Sequence, residues 1–294
     1  MIKVYFDKNV LSHILTNQRG GSEAHGVTET DLKDLLGAVA AGKIRSLLGV
    51  MHLQEAAYAL KAKSPEVAKE ELKLIRELMY TKEIIKFPRD FPKDDILSYS
   101  QGAGPTSPMM ASGIYLDNLF SDSGDIEERK KALDQTTEYN AEFLDKTTNG
   151  NDNDRRIILA EFSGKQPSFE EFYNKKILQR ITELVDRAER ETGRKGLADA
   201  CKKRGVEGLL EFKSIAMAAG ANLSYQYARV FNEMSEKRKA RKGDASDLNH
   251  ALLASAADIL VTHDGDFAFW ISRIPKTKIE VLDHVHKLIG RIKD

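Results

Sequence analysis

The chain has 294 residues, and its 45 Lys and Arg balance 45 Asp and Glu. That length allows a large apolar core and about two domains. The balanced charge excludes a whole-molecule field toward polyanions, so any nucleic-acid surface must be a local patch. The single cysteine, Cys201, excludes an internal disulfide and suits a reducing compartment. No apolar run approaches the roughly 20 residues of a membrane span. The start, MIKVYFDKNV, lacks the basic-then-apolar layout of a signal peptide. A cytoplasmic location with no membrane partner is expected.

In chain order, residues 2–6, IKVYF, read as a short strand that stops at Asp7. VLSHIL begins a helix, and the polar stretch TNQRGGSEAHGVTETD reads as a loop. Thr30 precedes DLKDLLGAVAAG, where Leu32, Leu35, Leu36 and Val39 keep helical spacing and Gly42 ends the run. IRSLLGV is a second strand and HLQEAAYALKA a third helix. SPEVAKEELKLIRELM opens with Ser64 as cap and Pro65 at the first helical position. EIIKF is a third strand. FPKDDILSYSQGAGPTSPMMASG carries Pro, Gly and Ser with little periodicity and reads as loop. From about residue 125 to 242 the chain is charged and helix-rich, with no clear strand. After Gly243 a helix (DASDLNHALLASAA), a strand (DILVTH), a short helix near FAFWISRI, a strand (KIEVLD) and a last helix (HVHKLIGRI) follow.

Alternating strands and helices at both ends predict an α/β fold with a central, mostly parallel sheet. Neither end piece has enough strands to bury a parallel sheet alone. The simplest organisation is one discontinuous domain, 1–95 and 240–294, interrupted by a mainly helical insert, 96–239. Independent domains in series are the alternative.

In an open parallel sheet, ligands bind outside the carboxyl ends of the strands. Two strands here end in acid: VYF delivers Asp7, and ILVTH delivers Asp264 with Asp266 close behind. Glu55 lies early in the helix after LLGV, and Asp247 in the first turn of the helix before the last acidic strand. Each acid also has an ordinary reading. Asp7 is able to cap a helix, Asp244 with Asp247 resembles a capping box, Glu55 fits a solvated helix face, and Asp264 and Asp266 fit a turn around Gly265. Four acids converging on one edge would repel unless a cation sat between them, and hard oxygen ligands suit Mg²⁺ or Mn²⁺.

VYFDKNVL, LGVMHLQEAAYAL, DASDLNHALLASAADILVTHDGDF and KIEVLD together resemble a PIN domain, the fold of many metal-dependent endoribonucleases, bacterial toxin nucleases among them. The matching residues are Asp7 with Asn9, then Glu55, then Asp247 with Leu248 and His250, then Thr262, Asp264, Asp266 and Phe267. The resemblance covers about 150 residues at the two ends of the chain. It departs from compact PIN domains in the long gap between Glu55 and Asp247. It implies a PIN-like three-layer fold and hydrolysis of RNA phosphodiesters, leaving a 5′-phosphate and a 3′-hydroxyl. Asp7, Glu55, Asp247 and Asp264 would hold one or two divalent ions, with Asp266 as a further ligand or acceptor. Asn9, Thr262 and His250 would support them. A toxin or defence role is compatible with this reading, and single-stranded DNA is not excluded as substrate.

The other side chains offer weaker expectations. The seven histidines, His13, His25, His52, His250, His263, His284 and His286, are scattered. With one cysteine, they do not show the tight grouping usual for zinc. Lys237, Arg238, Lys239, Arg241 and Lys242 form a basic run ahead of the acidic helix, suited either to RNA phosphates or to a solvated helix end. Arg194 and Lys195 with Lys202, Lys203 and Arg204 form a second basic group, flanked by acids. Tyr225, Tyr227 and Phe231 fit helix core better than base stacking. The insert offers a surface for a homo-oligomer, a partner or an inhibitor. Two rival functions remain open: a PIN-like module that binds RNA or protein without cutting, and a phosphotransfer protein with Asp7 at a strand end. The latter usually needs a second Asp where Asn9 stands.

Overall fold

The computed structural model describes residues 1–18, 27–49, 51–52, 55, 65–78, 83–88, 90–111, 151–231, 242–275 and 277–293. Four parallel strands form the central sheet: β1 (Ile2–Phe6), β2 (Ile44–Leu47), β5 (Ile259–Val261) and β6 (Glu280–Leu282), in the order β2-β1-β5-β6. β3 (Glu83–Ile85) extends this sheet past β2 through a parallel bridge between Gly49 and Ile85. β4 (Met109–Ala111) pairs antiparallel with β3.

The strands alternate between two apolar layers, as a period of two requires. Val4, Phe6, Ile259, Val261 and Leu282 face one layer. There they meet α1 (Lys8–Gln18), α2 (Glu29–Ala40), α3 (Pro65–Leu78) and α11 (Val285–Lys293). Tyr5, Leu47, Ile85 and Leu260 face the other layer. That layer holds α4 (Asp90–Ser100), α5 (Asn151–Glu161), α6 (Phe169–Thr192), α7 (Leu197–Arg204), a 3₁₀ turn (Val206–Glu211), α8 (Lys213–Val230), α9 (Lys242–Ala254) and α10 (Gly265–Ser272). The fold is therefore mixed α/β, with helices on both faces of a parallel sheet.

Several sequence expectations shift. The stretch expected as loop after Phe87 contains α4 and β4. Pro92 is tolerated because it sits in the first turn of α4, where backbone N–H groups have no partner within the helix. Asp95 then fastens α4: one oxygen accepts from Thr106 N and Oγ1, both at 2.7 Å, and the other accepts from Ser214 Oγ on α8. The helix expected after Thr30 starts earlier, capped by Thr28, whose hydroxyl accepts from Asp31 N while the Asp31 carboxylate accepts from Thr28 N. α9 starts at Lys242, so Asp244 is no cap and Asp247 lies in the second turn rather than the first. The helix read in HLQEAAYALKA is seen at His52 and Glu55; its other residues, like Ser64, lie outside the described set.

The helical stretch 151–231 shares one apolar layer with the sheet. Gly220 of α8 lies so close to Ile274, just beyond α10, that an added Cβ would overlap Ile274 Cγ2. Gly220→Val is expected to lower stability by about 2 kcal/mol, read as a fall in the urea midpoint without a change in slope.

Candidate functional site

β1 and β5 are adjacent and parallel, with Phe6 opposite Val261, so Asp7 and Thr262 leave the sheet together. Asp7 N–H donates to the Val261 carbonyl at 2.8 Å. The Asp7 side chain is only 4% exposed. Its Oδ2 accepts from the Thr262 hydroxyl at 2.8 Å and its Oδ1 from Lys8 N–H at 2.7 Å. The same Thr262 oxygen accepts from Asp264 N–H at 3.1 Å. Asp264 is the N-cap of α10, its Oδ1 accepting from Phe267 N–H at 2.9 Å. Thr262 thus joins the two strand-end acids. Burial raises the Asp7 pKa, and the nearby Glu55 charge adds to the rise. The His250 charge, the Thr262 hydroxyl and Lys8 N–H offset it only in part.

A second polar chain runs across the Tyr5 face of the sheet. The Tyr5 hydroxyl lies 2.6 Å from His250 Nδ1, and His250 Nε2 lies 3.1 Å from Glu55 Oε2. Ser246 donates to the other Glu55 oxygen at 2.5 Å. Ser246 and His250 are four residues apart on α9 and so grip Glu55 from one helix face. Burial opposes a charge on His250. Glu55 outweighs it through charge and hydrogen bond, and Asp7 and Asp247 add to the effect, so the His250 pKa rises to about 9. Burial likewise opposes the Glu55 charge, but His250, then Lys8 and Ser246, pull its pKa down to about 2. An imidazolium donates from both nitrogens, so Nδ1–H points at the Tyr5 oxygen. Tyr5 stays a neutral phenol, its pKa raised by burial and by Asp7 and Glu55. His52 lies against both rings. Gly49 N–H donates to its Nδ1, so its Nε2–H donates to the Phe6 carbonyl at 2.6 Å. Burial, and then the His250 charge, hold the His52 pKa down at about 4.

The structure therefore joins Asp7, Thr262 and Asp264 by hydrogen bonds, and Glu55, His250 and Ser246 by a second set. Asp247 is half-buried on α9 within electrostatic reach of His250. Asp266 is half-buried in the first turn of α10. Asn9 is exposed in the first turn of α1, and the Asp7 oxygens are held by Lys8 and Thr262. Lys237, Arg238, Lys239 and Arg241 lie outside the described residues, and Lys242 is described only as the first residue of α9. Tyr225 and Tyr227 are buried in the core, as expected of helix residues. Among the described residues, no three His, Cys, Asp or Glu side chains stand ready-made in the geometry of a metal cage. No helix of the described residues is long and apolar enough to cross a membrane. Sequence reasoning did not single out Tyr5, Lys8 or Ser246. The period-two pattern that turns Tyr5 to the opposite face from Phe6 was the available signal.

No protein-family model matches the chain, and no curated protein or solved structure matches it significantly.

Two expectations follow from the charges. A raised carboxyl pKa means that Asp7 favours folding at low pH and costs stability as pH rises through its folded pKa. With chelator present, Asp7→Asn should therefore be more stable than the parent at pH 7, by about 0.5–2 kcal/mol, in urea unfolding. An amide can keep both bonds, accepting from Lys8 N–H and donating to Thr262. For the ion pair, the Glu55 contribution is present above about pH 4.5 and fades as pH falls toward about 2. The His250 contribution is present below about pH 6.5 and fades as pH rises through about 9. Glu55→Gln should shift the His250 imidazole resonance titration well below 9 and cost about 2 kcal/mol near neutral pH.

Proposed function

We propose that the chain is a divalent-metal-dependent nuclease that hydrolyses RNA phosphodiesters, with Asp7, Glu55, Asp247 and Asp264 as the metal-holding set and Asp266 beside it. The observation that carries this reading is Asp7. It is a buried carboxylate at the carboxyl edge of a parallel sheet, whose surroundings offset its charge only partly. A cation at that edge would stabilise it. The donors are all carboxylate oxygens, which fits Mg²⁺ or Mn²⁺ better than zinc. When bound, such an ion supplies an acidified water and charge neutralisation at the phosphate.

The chain's own residues have distinct tasks in this reading. Thr262 fixes Asp7 Oδ2 and, through Asp264 N–H, the start of α10. Asp264 caps α10 through Oδ1. His250 and Ser246 hold Glu55 ionised. Lys8 contributes positive charge close to Glu55. RNA as the substrate, and the PIN-like identity of the fold, rest on the sequence resemblance.

A second reading, a PIN-like module that binds RNA or protein without cutting, is favoured by one observation. Both Glu55 oxygens are already bonded, to Ser246 and His250. Labelled single-stranded RNA and DNA, incubated with Mg²⁺, Mn²⁺ or chelator, separate the two. The nuclease reading expects RNA cleavage that chelator stops and that Asp7→Asn and Asp264→Asn each lower by about a hundredfold or more. Asn is a good helix cap, so loss in Asp264→Asn would not reflect a lost cap. Cleavage that resists chelator, or that both variants retain, overturns the reading. RNA binding with no cleavage establishes the second one.

A further inference from the structure

Three histidines far apart in the sequence meet at the carboxyl edge of the sheet. Each follows a different parallel strand. His13 lies in the second turn of α1, after β1. His263 stands two residues past the end of β5 and His284 two residues past the end of β6. β5 and β6 pair with Val261 opposite Leu282, so His263 and His284 occupy equivalent places on neighbouring strands. The rings of His13 and His263 lie nearly parallel, 11° between their planes and 5.0 Å between their centres, and face each other edge to edge with their Nδ1 atoms 2.7 Å apart. The His284 ring lies 5.6 Å from that of His263. All three are half-buried, and Nε2 of His263 is enclosed.

We propose that His13, His263 and His284 form a binding site for one borderline divalent transition ion of the Zn²⁺ class, separate from the all-oxygen carboxylate set. Three imidazoles and a water satisfy the tetrahedral preference of Zn²⁺. Donor softness divides the two sites: imidazole selects zinc and its neighbours in the series, and carboxylate selects Mg²⁺ or Mn²⁺. The rings are not in ligand positions as they stand. Two nitrogens at about 2.05 Å from one tetrahedral ion lie about 3.3 Å apart. The facing Nδ1 atoms therefore have to separate by about 0.6 Å and give up the proton they share. The two rings meet head-on, so each also has to turn by roughly 35° for both lone pairs to aim at one tetrahedral ion. The bound ion would clamp α1 to the ends of β5 and β6, and so stiffen the segment that carries Asp264. This site does not depend on the nuclease reading.

The test uses the full chain, stripped with chelator and titrated with Co²⁺ by its visible absorption, then with Zn²⁺ in competition. The expected result is one saturable equivalent that Zn²⁺ displaces and that raises the melting temperature. His13→Ala and His284→Ala should each weaken binding by at least about tenfold, and Asp7→Asn should leave it within about twofold. His13→Gln replaces the Ala variant if circular dichroism shows that variant unfolded. Absence of saturable Co²⁺ or Zn²⁺ binding in the parent chain overturns the proposal. So does binding that survives both histidine substitutions, or binding that Asp7→Asn abolishes.

Discussion

The parallel pairing of β1 with β5 is the constraint on which the rest depends. It brings Asp7 and Thr262, 255 positions apart, into a 2.8 Å hydrogen bond. Because side chains alternate along a strand, the same pairing sends Val4 and Phe6 into one apolar layer and Tyr5 into the other. A one-residue slip would put Tyr5 against α1 and α2, and would bury Phe6 where His250 now stands. The polar chain from Tyr5 to Glu55 exists only in this register. So does the meeting of Asp7 with Thr262.

The site is a balance of buried charges. Asp7, almost wholly buried, and Glu55, half-buried, repel each other. One buried cation, His250, lies between their fields, and Glu55 holds it by a direct bond. The result is asymmetric. Glu55 is ionised with a strongly depressed pKa, and Asp7 is pushed the other way. A buried pair of this kind gives modest net stability, since desolvation consumes most of its attraction. What it does supply is position: Glu55 is fixed by α9 and Asp7 by β5, so both carboxylates have set directions relative to the sheet edge.

The strands were legible because each is a short apolar run closed by a polar or turn residue; IKVYF before Asp7 is the clearest. α4 and β4 were not, because Pro92 and the nearby Ser and Gly carry loop chemistry. Their burial, through Ile96 and the Asp95 bonds to Thr106 and Ser214, depends on a helix 119 positions away. Of the site, the acids at strand ends could be read from position alone. The Glu55–His250–Ser246 set could not, since its partners are 191 and 195 positions apart and no local pattern links them. The histidines show the same limit. His13, His263 and His284 look scattered along the chain, and only the parallel register gathers them at one edge.

The helices of residues 151–231 bear on the site through α8. The helices carrying Asp247, Asp264 and Asp266, α9 and α10, both pack against α8 and share its apolar layer with the sheet. Arg273, next after α10, donates from Nε to Ser224 Oγ at 2.7 Å and from Nη2 to the Ser224 carbonyl at 2.6 Å. Ser224 Oγ donates in turn to the Trp270 carbonyl at 3.0 Å. The Arg273 guanidinium also lies over the rings of Phe169 and Phe269, at 4.2 and 4.6 Å. One arginine therefore joins α6, α8 and the end of α10, whose first turn is set by Asp264. Asp95 adds a second tie, from α4 to α8. A carboxylate that must face a cation needs a rigid backbone, and a three-residue strand gives little rigidity alone. Packing α9 and α10 against α8 supplies it, which makes the helical stretch part of what holds the acids in place rather than an appendage to the sheet.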